Sequence, residues 1–483
     1  MSLWFLSTSQ LLATHNLAGQ ITLARNNPNN SNSYMITLTT YTDPAPAGVD
    51  RCSADFEIWA LGGPQPVLLT TILTVPRRNG GPLGNIPNDC AVSNPKAGVV
   101  VKGTVKRNIY DTTFIFPGPG EYIIRYFDIA RHGSVDNISN PEELSFFVET
   151  KLFITPPIVG SNNTPILLNE PLDDACIGKL WTHNPGGFDA DGDSLAYYLR
   201  ESYKYDPPAP PMIADGFIFP DDPVFGVSSF TMDPITGIIT WDAPTQQGLF
   251  NFAYVIEEWR NGQLLGYVIR DMAVWVIDCN NDPPVIETID DTCIAAGETL
   301  IFDFISYDPN ESDSLYFGLN NGVIGNNGPF FVSNPATVGG VVVDPVPGNS
   351  FVFEKLPVRT LNNGTEIVDT VKGQVVWQTE CDNIRKQFYQ VDFYATDNKN
   401  YSLPNTFSTT LSANKAVVIR VIPPAPTELT VTKGSRAVNL QWLPTFCQDK
   451  VLGYNIYRKI GNKGFMQDTV CCEMSPKDQG FEL

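Results

Sequence analysis

The sequence predicts an all-β chain of tandem β-sandwich domains in a row. Two observations carry that prediction: an internal repeat of domain length, and a composition suited to short strands. One template reads NNTPI (162–166), Cys176, FDADGDSLAYYL (188–199), TGIITW (236–241) and GLFNFAYVIEEWRNG (248–262). It returns as NNDPPVI (280–286), Cys293, YDPNESDSLYFG (307–318), KGQVVW (372–377) and QFYQVDFYATDNKN (387–400). Pro165 precedes Asp189 by 24 residues, and Pro284 precedes Asp308 by the same 24. A repeat of over ~100 residues is too long for a solenoid unit of ~20–50. It matches a small sandwich of roughly 100 residues.

Composition agrees. The chain has 483 residues, more than one domain usually holds. Charged residues make up only 17%, while 38 glycines, 39 prolines and 11% aromatics punctuate it. Long Ala/Leu/Glu/Lys stretches that would build helices are missing. The formal charge of −21 argues against a nucleic-acid partner, because phosphate binding needs a basic face. An acidic surface suits cation binding or plain solubility. No run of 18 apolar residues occurs, so no membrane span is expected.

In chain order, LWFLSTSQLLA (3–13) is a short apolar stretch ending in a small residue. It lacks a positive leading region, and 1–13 is read as the remnant of a signal peptide. QITLARNN and SYMITLTTYTD alternate as half-buried strands do. In FPGPGEYIIRYFDIARHG (116–133) the Pro/Gly cluster turns the chain, and Tyr122, Ile124 and Tyr126 then share one face. ETKLFITPP (149–157) leads into a linker. Trp241 and Trp377 each end a short strand and are expected in the core. At PPAPTELTV (423–431) the texture changes, and AVNLQWLP and LGYNIYRK supply a Trp-bearing and a Tyr-bearing strand. Only 61 residues remain from Pro423, so this last bead reads as incomplete.

The nine cysteines fall by bead: Cys52 and Cys90, Cys176 and Cys279, Cys293 and Cys381, then Cys447, Cys471 and Cys472. No CxxC pair marks a zinc site, and His15, His132 and His183 are scattered. Two per bead predicts the disulfides Cys52–Cys90, Cys176–Cys279 and Cys293–Cys381, formed in an oxidising compartment.

Hard-cation chemistry is confined to acidic loops. DADGD sets Asp189, Asp191 and Asp193 on alternate positions, with Gly192 permitting a tight turn. Calcium takes six to eight hard oxygens, which such loops offer. The matching loop carries Asp308, Asn310, Glu311 and Asp313. Short acidic loops are also ordinary surface turns.

DCNNDPPVI (278–286) resembles the junction between cadherin repeats, and DADGDSLAYYL with TGIITW resembles the body of one. The resemblance implies calcium between beads, held by Asp278, Asn280 and Asp282 with Asp308 and Asp313. Asn162 and Asn163 with Asp189 and Asp193 would form the other junction, with fewer acids. NNTPI departs from the pattern in lacking an acid. AVNLQWLP and LGYNIYRK resemble the front half of a fibronectin type III domain, with Trp442 as its core tryptophan. Taken in order, ATHNLAGQITL, FPGPGEYIIRYFD, HNPGGFDADGDSL, DPITGIITWDAPTQQGLFNFAYVIEEWRNG and LGYNIYRK resemble large Bacteroidota surface proteins. That family is gliding-motility-associated and leaves through type IX secretion. The resemblance implies a remnant signal peptide at 1–13, an immunoglobulin-like sandwich at 14–157, cadherin-like sandwiches at 158–282 and 283–422, and a truncated fibronectin type III-like domain at 423–483. It places the chain extracellularly or on the outer surface of a Gram-negative bacterium.

No GxSxG elbow, HExxH, P-loop or Rossmann fingerprint is present. The expected function is a non-catalytic binding or adhesion protein, monomeric, whose partners are surface glycans or other cell-surface proteins. Calcium is the expected cofactor. The alternatives are a glycan-acting enzyme or its carbohydrate-binding accessory module, since paired carboxylates are plentiful, and a passive stalk.

Overall fold

The computed structural model describes residues 16–27, 32–43, 51–63, 65–78, 99–102, 104–156, 160–279, 281–310, 315–321, 341–343, 350–360, 366–385, 387–397, 401–402, 408–409, 411–456 and 458. The stretch 1–13, Cys90, Asn280, Glu311, Asp313, Cys471 and Cys472 lie outside them. Described residues form β-strands joined by turns and short 3-10 segments, and none of their helices is long and apolar enough to cross a membrane. The all-β fold class is as the repeat and composition predict.

Two compact units divide the chain, one holding Met1–Asp191, Leu195–Asn281 and Lys399–Leu411, the other Gly192–Ser194, Asp282–Asn398 and Ser412–Leu483. The first unit is organised by a hairpin, Gly248–Arg260 and Gln263–Ile277, paired along its length with one register shift between Glu258 and Trp259. Its even-numbered residues Phe250, Phe252, Tyr254 and Ile256 are fully buried on one face, in a core with Trp181, Phe230 and Trp241. Trp241 meets Phe230 and Phe250 edge-on at 5.6 and 5.2 Å.

The outer edge of Gln263–Ile277 serves three strands in turn. Val268 to Gly266 pair with Thr150 to Leu152 of Phe146–Ile154, Asp271 and Met272 with Gly19 and Ala18, and Val276 and Ile277 with Ala175 and Cys176 in parallel. The stretches expected as two separate sandwiches, 14–157 and 158–282, therefore share one twelve-stranded sheet. They also share a core, because Leu17, Ala18, Tyr41 and Val135 pack in the cluster that holds Trp241. The reason is the length of this strand. Fifteen residues expose more backbone N–H and C=O than one neighbour can satisfy, and an open edge invites pairing. A second cluster, with Ile21, Tyr34, Phe56, Ile124 and Phe146, fills the N-terminal half.

At the join lies a buried ion pair. Arg131 Nη1 donates to Asp271 Oδ1 at 2.8 Å, with side chains 0% and 1% exposed. Arg131 Nη2 donates to the Tyr203 carbonyl at 2.6 Å, and its guanidinium lies over the Phe146 ring. Asn251 Nδ2 donates to Asp271 Oδ1 and Ser202 Oγ, while its backbone N–H and C=O are both satisfied by Asn137.

The second unit is a sandwich. A five-stranded sheet built on Thr299–Tyr307, Glu366–Gln378 and Ser350–Thr360 faces a four-stranded sheet of Asp291–Ala295, Ser412–Ile422, Tyr389–Asp397 and Leu315–Asn321. Leu300, Phe302, Phe304, Val375 and Trp377 of the first meet Tyr389, Val391, Phe393, Val417 and Ile419 of the second. Trp377 is 1% exposed and stands edge-on to Tyr389 at 4.8 Å. After Ile422 the described residues form one exposed hairpin, Thr427–Lys433 with Val438–Leu443, and Trp442 packs edge-on to Tyr454.

Cys176 is bonded to Cys279, tying the start of one stretch to its end. Cys381 is bonded to Cys447, which corrects the expected Cys293–Cys381 pair. Cys293 sits on Asp291–Ala295, within the four-stranded sheet, whereas Cys381 opens the turn that follows a strand of the facing sheet. Cys447, 0% exposed in the same core, reaches Cys381 instead. Cys52 and Cys293 each take part in a disulfide as well.

Non-reducing peptide mapping should recover the Cys176–Cys279 and Cys381–Cys447 peptides, and replacing Cys381 and Cys447 together by Ala should cost the second unit ~2–4 kcal/mol in chemical unfolding. Arg131→Met leaves Asp271 buried without its cation, so the first unit should lose ~3–5 kcal/mol, whereas Arg131→Met with Asp271→Leu should recover much of it. Burial pushes the Tyr41 phenol from 10.0 up to about 12, and burial followed by the Glu57 hydrogen bond does the same for Tyr205. Their contribution to stability is full below pH ~10, the unfolded value, and drains as pH rises through about 12. Alkaline unfolding curves should fall off across that window and not below it.

Candidate metal site

The site begins with a two-residue ladder. Ile166 and Leu167 pair with Phe188 and Gly187, which lays the segment before Ile166 beside the loop after Phe188. Thr164 fixes that segment from the other side, since Leu23 N donates to its Oγ1 at 2.7 Å. The loop turns through Gly192, whose φ of +81° suits a residue without Cβ. Asp191 N donates to Asp189 Oδ1 at 2.9 Å, folding the loop back on its first acid.

Asp189, Asp191 and Asp193 gather with Glu258, each offering one carboxylate oxygen within 4.8 Å of the others. Two oxygens on one calcium lie at most about twice a Ca–O bond of ~2.4 Å apart, and the four carboxylates meet that limit. Asp189, Asp193 and Glu258 are buried, and Asp191 is half-buried. This carboxylate cluster can hold a metal ion. Asn163 N and Nδ2 both donate to Asp191 Oδ2, at 2.6 and 2.9 Å, and Ser161 Oγ donates to its Oδ1. Asn162, fully buried, donates to Glu258 Oε2 and accepts from Tyr34 OH through its carbonyl. Burial raises the Tyr34 phenol well above its ordinary value, Arg25 opposes this, and the Asp191 and Glu258 charges add to it.

The sequence brings three of these acids forward and misses Glu258. Its signal was present: Phe250, Phe252, Tyr254 and Ile256 define the buried phase, and Glu258 is an acid in that same phase. A register shift between Glu258 and Trp259 interrupts the ladder there, and pairing resumes with Trp259 opposite Leu264. The junction expected to be poorer in acids thus gains a fourth. Asn163 plays a different part from the oxygen donor expected of it, because its Oδ1 accepts from Arg25 N and its N–H groups hold Asp191.

The second loop repeats the local geometry. Asn310 N donates to Asp308 Oδ1 at 2.7 Å, as Asp191 N does to Asp189, and Asp282 N donates to Asn310 Oδ1, as Asn163 N does to Asp191. Asp397, 1% exposed, ends the buried phase Tyr389, Val391, Phe393, Ala395, as Glu258 does in the first. Asp278 is exposed. Among the described residues the four-carboxylate gathering occurs only at Asp189, Asp191, Asp193 and Glu258.

These features define a multidomain all-β protein, disulfide-bonded, with a cluster of acids able to hold a cation. No family model and no curated protein matches the sequence. Among solved structures, "Tandem Ig repeats of Dlar" aligns at 13% identity over 54% of this chain and 98% of its own, with a TM-score of 0.19. "Crystal Structure of Rst D1-D2" aligns at 11% identity over 54% of this chain and 100% of its own, with a TM-score of 0.15. The sandwich assignment rests on the sheets and cores described above.

Substituting Asp191→Ala removes the acceptor for both Asn163 donors and for Ser161. The segment 161–163 should then lose protection in amide hydrogen exchange, while the hairpin 248–277 keeps its own.

Proposed function

We propose that this is a non-catalytic, extracellular binding or adhesion protein in which calcium locks the loop of Asp189, Asp191 and Asp193 to Glu258. The observation that carries the reading is the convergence of four carboxylates on a linker held by Asn162 and Asn163. Four acids this close repel at neutral pH, and a divalent cation turns that repulsion into attraction. The ion would fasten three pieces distant in sequence: the segment before Ile166, the loop after Phe188 and the end of Gly248–Arg260. Location outside the cell is supported by the disulfides, which persist in oxidising compartments. The order of sequence motifs supports a Bacteroidota surface protein of the gliding-associated kind. Asp308, Asn310 and Asp282 are proposed as a second cation loop of the same design.

Thermal and chemical unfolding with calcium and with a chelator tests the site. Extracellular modules bind calcium at ~0.1–1 mM, so the titration must extend to ~10 mM. At about 100 Kd the ion should add ~2.7 kcal/mol. Glu258→Gln should cross over: more stable than wild type without calcium, because one repelling charge is gone, and less stable with it. A flat response in both proteins sinks the metal reading.

A further inference from the structure

Lys151, Lys204, Lys415 and Lys450 each pair with a carboxylate that stays in water, Glu121, Asp215, Asp290 and Asp382 being between 39% and 84% exposed. Lys102 differs. Its Nζ donates to Asp174 Oδ2 at 2.5 Å, where the carboxylate is 7% and the lysine side chain 17% exposed. A second donation, to the Leu172 carbonyl, holds the amine in place. Both groups line a small cavity whose remaining wall is mostly apolar, with Leu17, Val105, Leu172 and Trp275.

Asp173 stands in the same wall. Its Oδ2 lies 2.5 Å from Nδ1 of the buried His183, which fixes the carboxyl in position. Burial raises the Asp174 carboxyl above its ordinary range, the Lys102 charge and hydrogen bond oppose this, and the Asp173 charge adds to it.

We propose that Lys102 and Asp174 condense to an intramolecular amide bond, with Asp173 carrying the proton. An amine 2.5 Å from a carboxyl oxygen stands roughly 3–3.5 Å from the carboxyl carbon, the separation of a near-attack pair. Groups held in that way react as though at an effective concentration of ~10⁵–10⁸ M. In open water hydration favours the separate ions over a neutral amide. Burial has already stripped part of that hydration here, so joining the ions relieves a cost.

The step conserves charge and needs no oxidant. The Lys102 ammonium passes a proton to the Asp174 carboxylate, and the neutral amine attacks Cγ, forming the N–C bond. Asp173 takes the second nitrogen proton and gives it to the departing hydroxyl. The C–O bond breaks, water leaves, and Asp173 ends ionised as it began. The product ties Val99–Lys102, at one end of the strand order of the twelve-stranded sheet, to the segment that leads into Ala175–Cys176, 72 residues on. Unlike the Cys176–Cys279 bridge beside it, an amide survives reduction.

Mass spectrometry of the full chain after reduction tests this. The intact mass should fall one water below that of the sequence, and trypsin should leave Lys102 uncut in a branched peptide joined to Asp174. Lys102→Arg, which keeps the ion pair, and Asp174→Ala should each restore the full mass. Asp173→Asn should leave part of the protein unjoined. Under reducing conditions wild type should unfold at higher denaturant than Lys102→Arg, with calcium or without, because a closed loop restricts the unfolded chain. A full sequence mass in wild type, with Lys102 and Asp174 on separate peptides, overturns the proposal and leaves the calcium response untouched. Complete joining in Asp173→Asn overturns the part given to Asp173.

Discussion

The first unit depends on one strand, Gln263–Ile277, and on the ion pair that sits against it. Three strands from different parts of the chain pair with its outer edge, and Asp271 is buried on it at 1% exposure. A lone buried carboxylate would cost several kcal/mol, so Asp271 is tolerated in the join only with Arg131 in place. Arg131 in turn donates to Asp271 and to a carbonyl of the loop that follows Ser194–Arg200, which brings that loop over the join. Apolar packing supplies most of the stability on either side.

The same hairpin also orients the functional groups. Its two faces alternate, and near its turn Glu257 and Glu258 point in opposite directions: one out toward Tyr198 and Trp259, the other in toward Asn162. Adjacent acids of identical chemistry thus take different roles, because a strand turns successive side chains to opposite faces. Inside, a carboxylate near other carboxylates calls for a cation. Outside, a carboxylate held by aromatic donors becomes an acceptor of fixed direction.

The internal repeat shows how one local design survives in two settings. The Asp189–Asp191 turn and the Asp308–Asn310 turn close in the same way, each receiving a backbone N–H from the segment before its bead. Around them the settings differ. One repeat is built into a twelve-stranded sheet, and the other faces two sheets of its own. Local hydrogen bonding is set by side chains a few residues apart, and sheet pairing is set by which edges are left open.

By itself the sequence determined what depends on nearby residues: the all-β class, the alternation of buried faces, the core positions of Trp241 and Trp377, and the acidic loop around Gly192. Each follows from periodicity or turn chemistry within a few residues. Tertiary structure alone decided what depends on residues far apart. Glu258 joins the loop acids only because a sheet brings its strand to Asn162. Cys381 meets Cys447 and not Cys293 because the latter lies in the facing sheet. The stretches expected as separate sandwiches on either side of residue 157 share a sheet and a core, since a long strand with an open edge takes whichever partners satisfy its backbone. The order that sets Ser53–Leu61 four strands from Gly248–Arg260 comes from pairings between residues far apart in the chain, which no local pattern encodes.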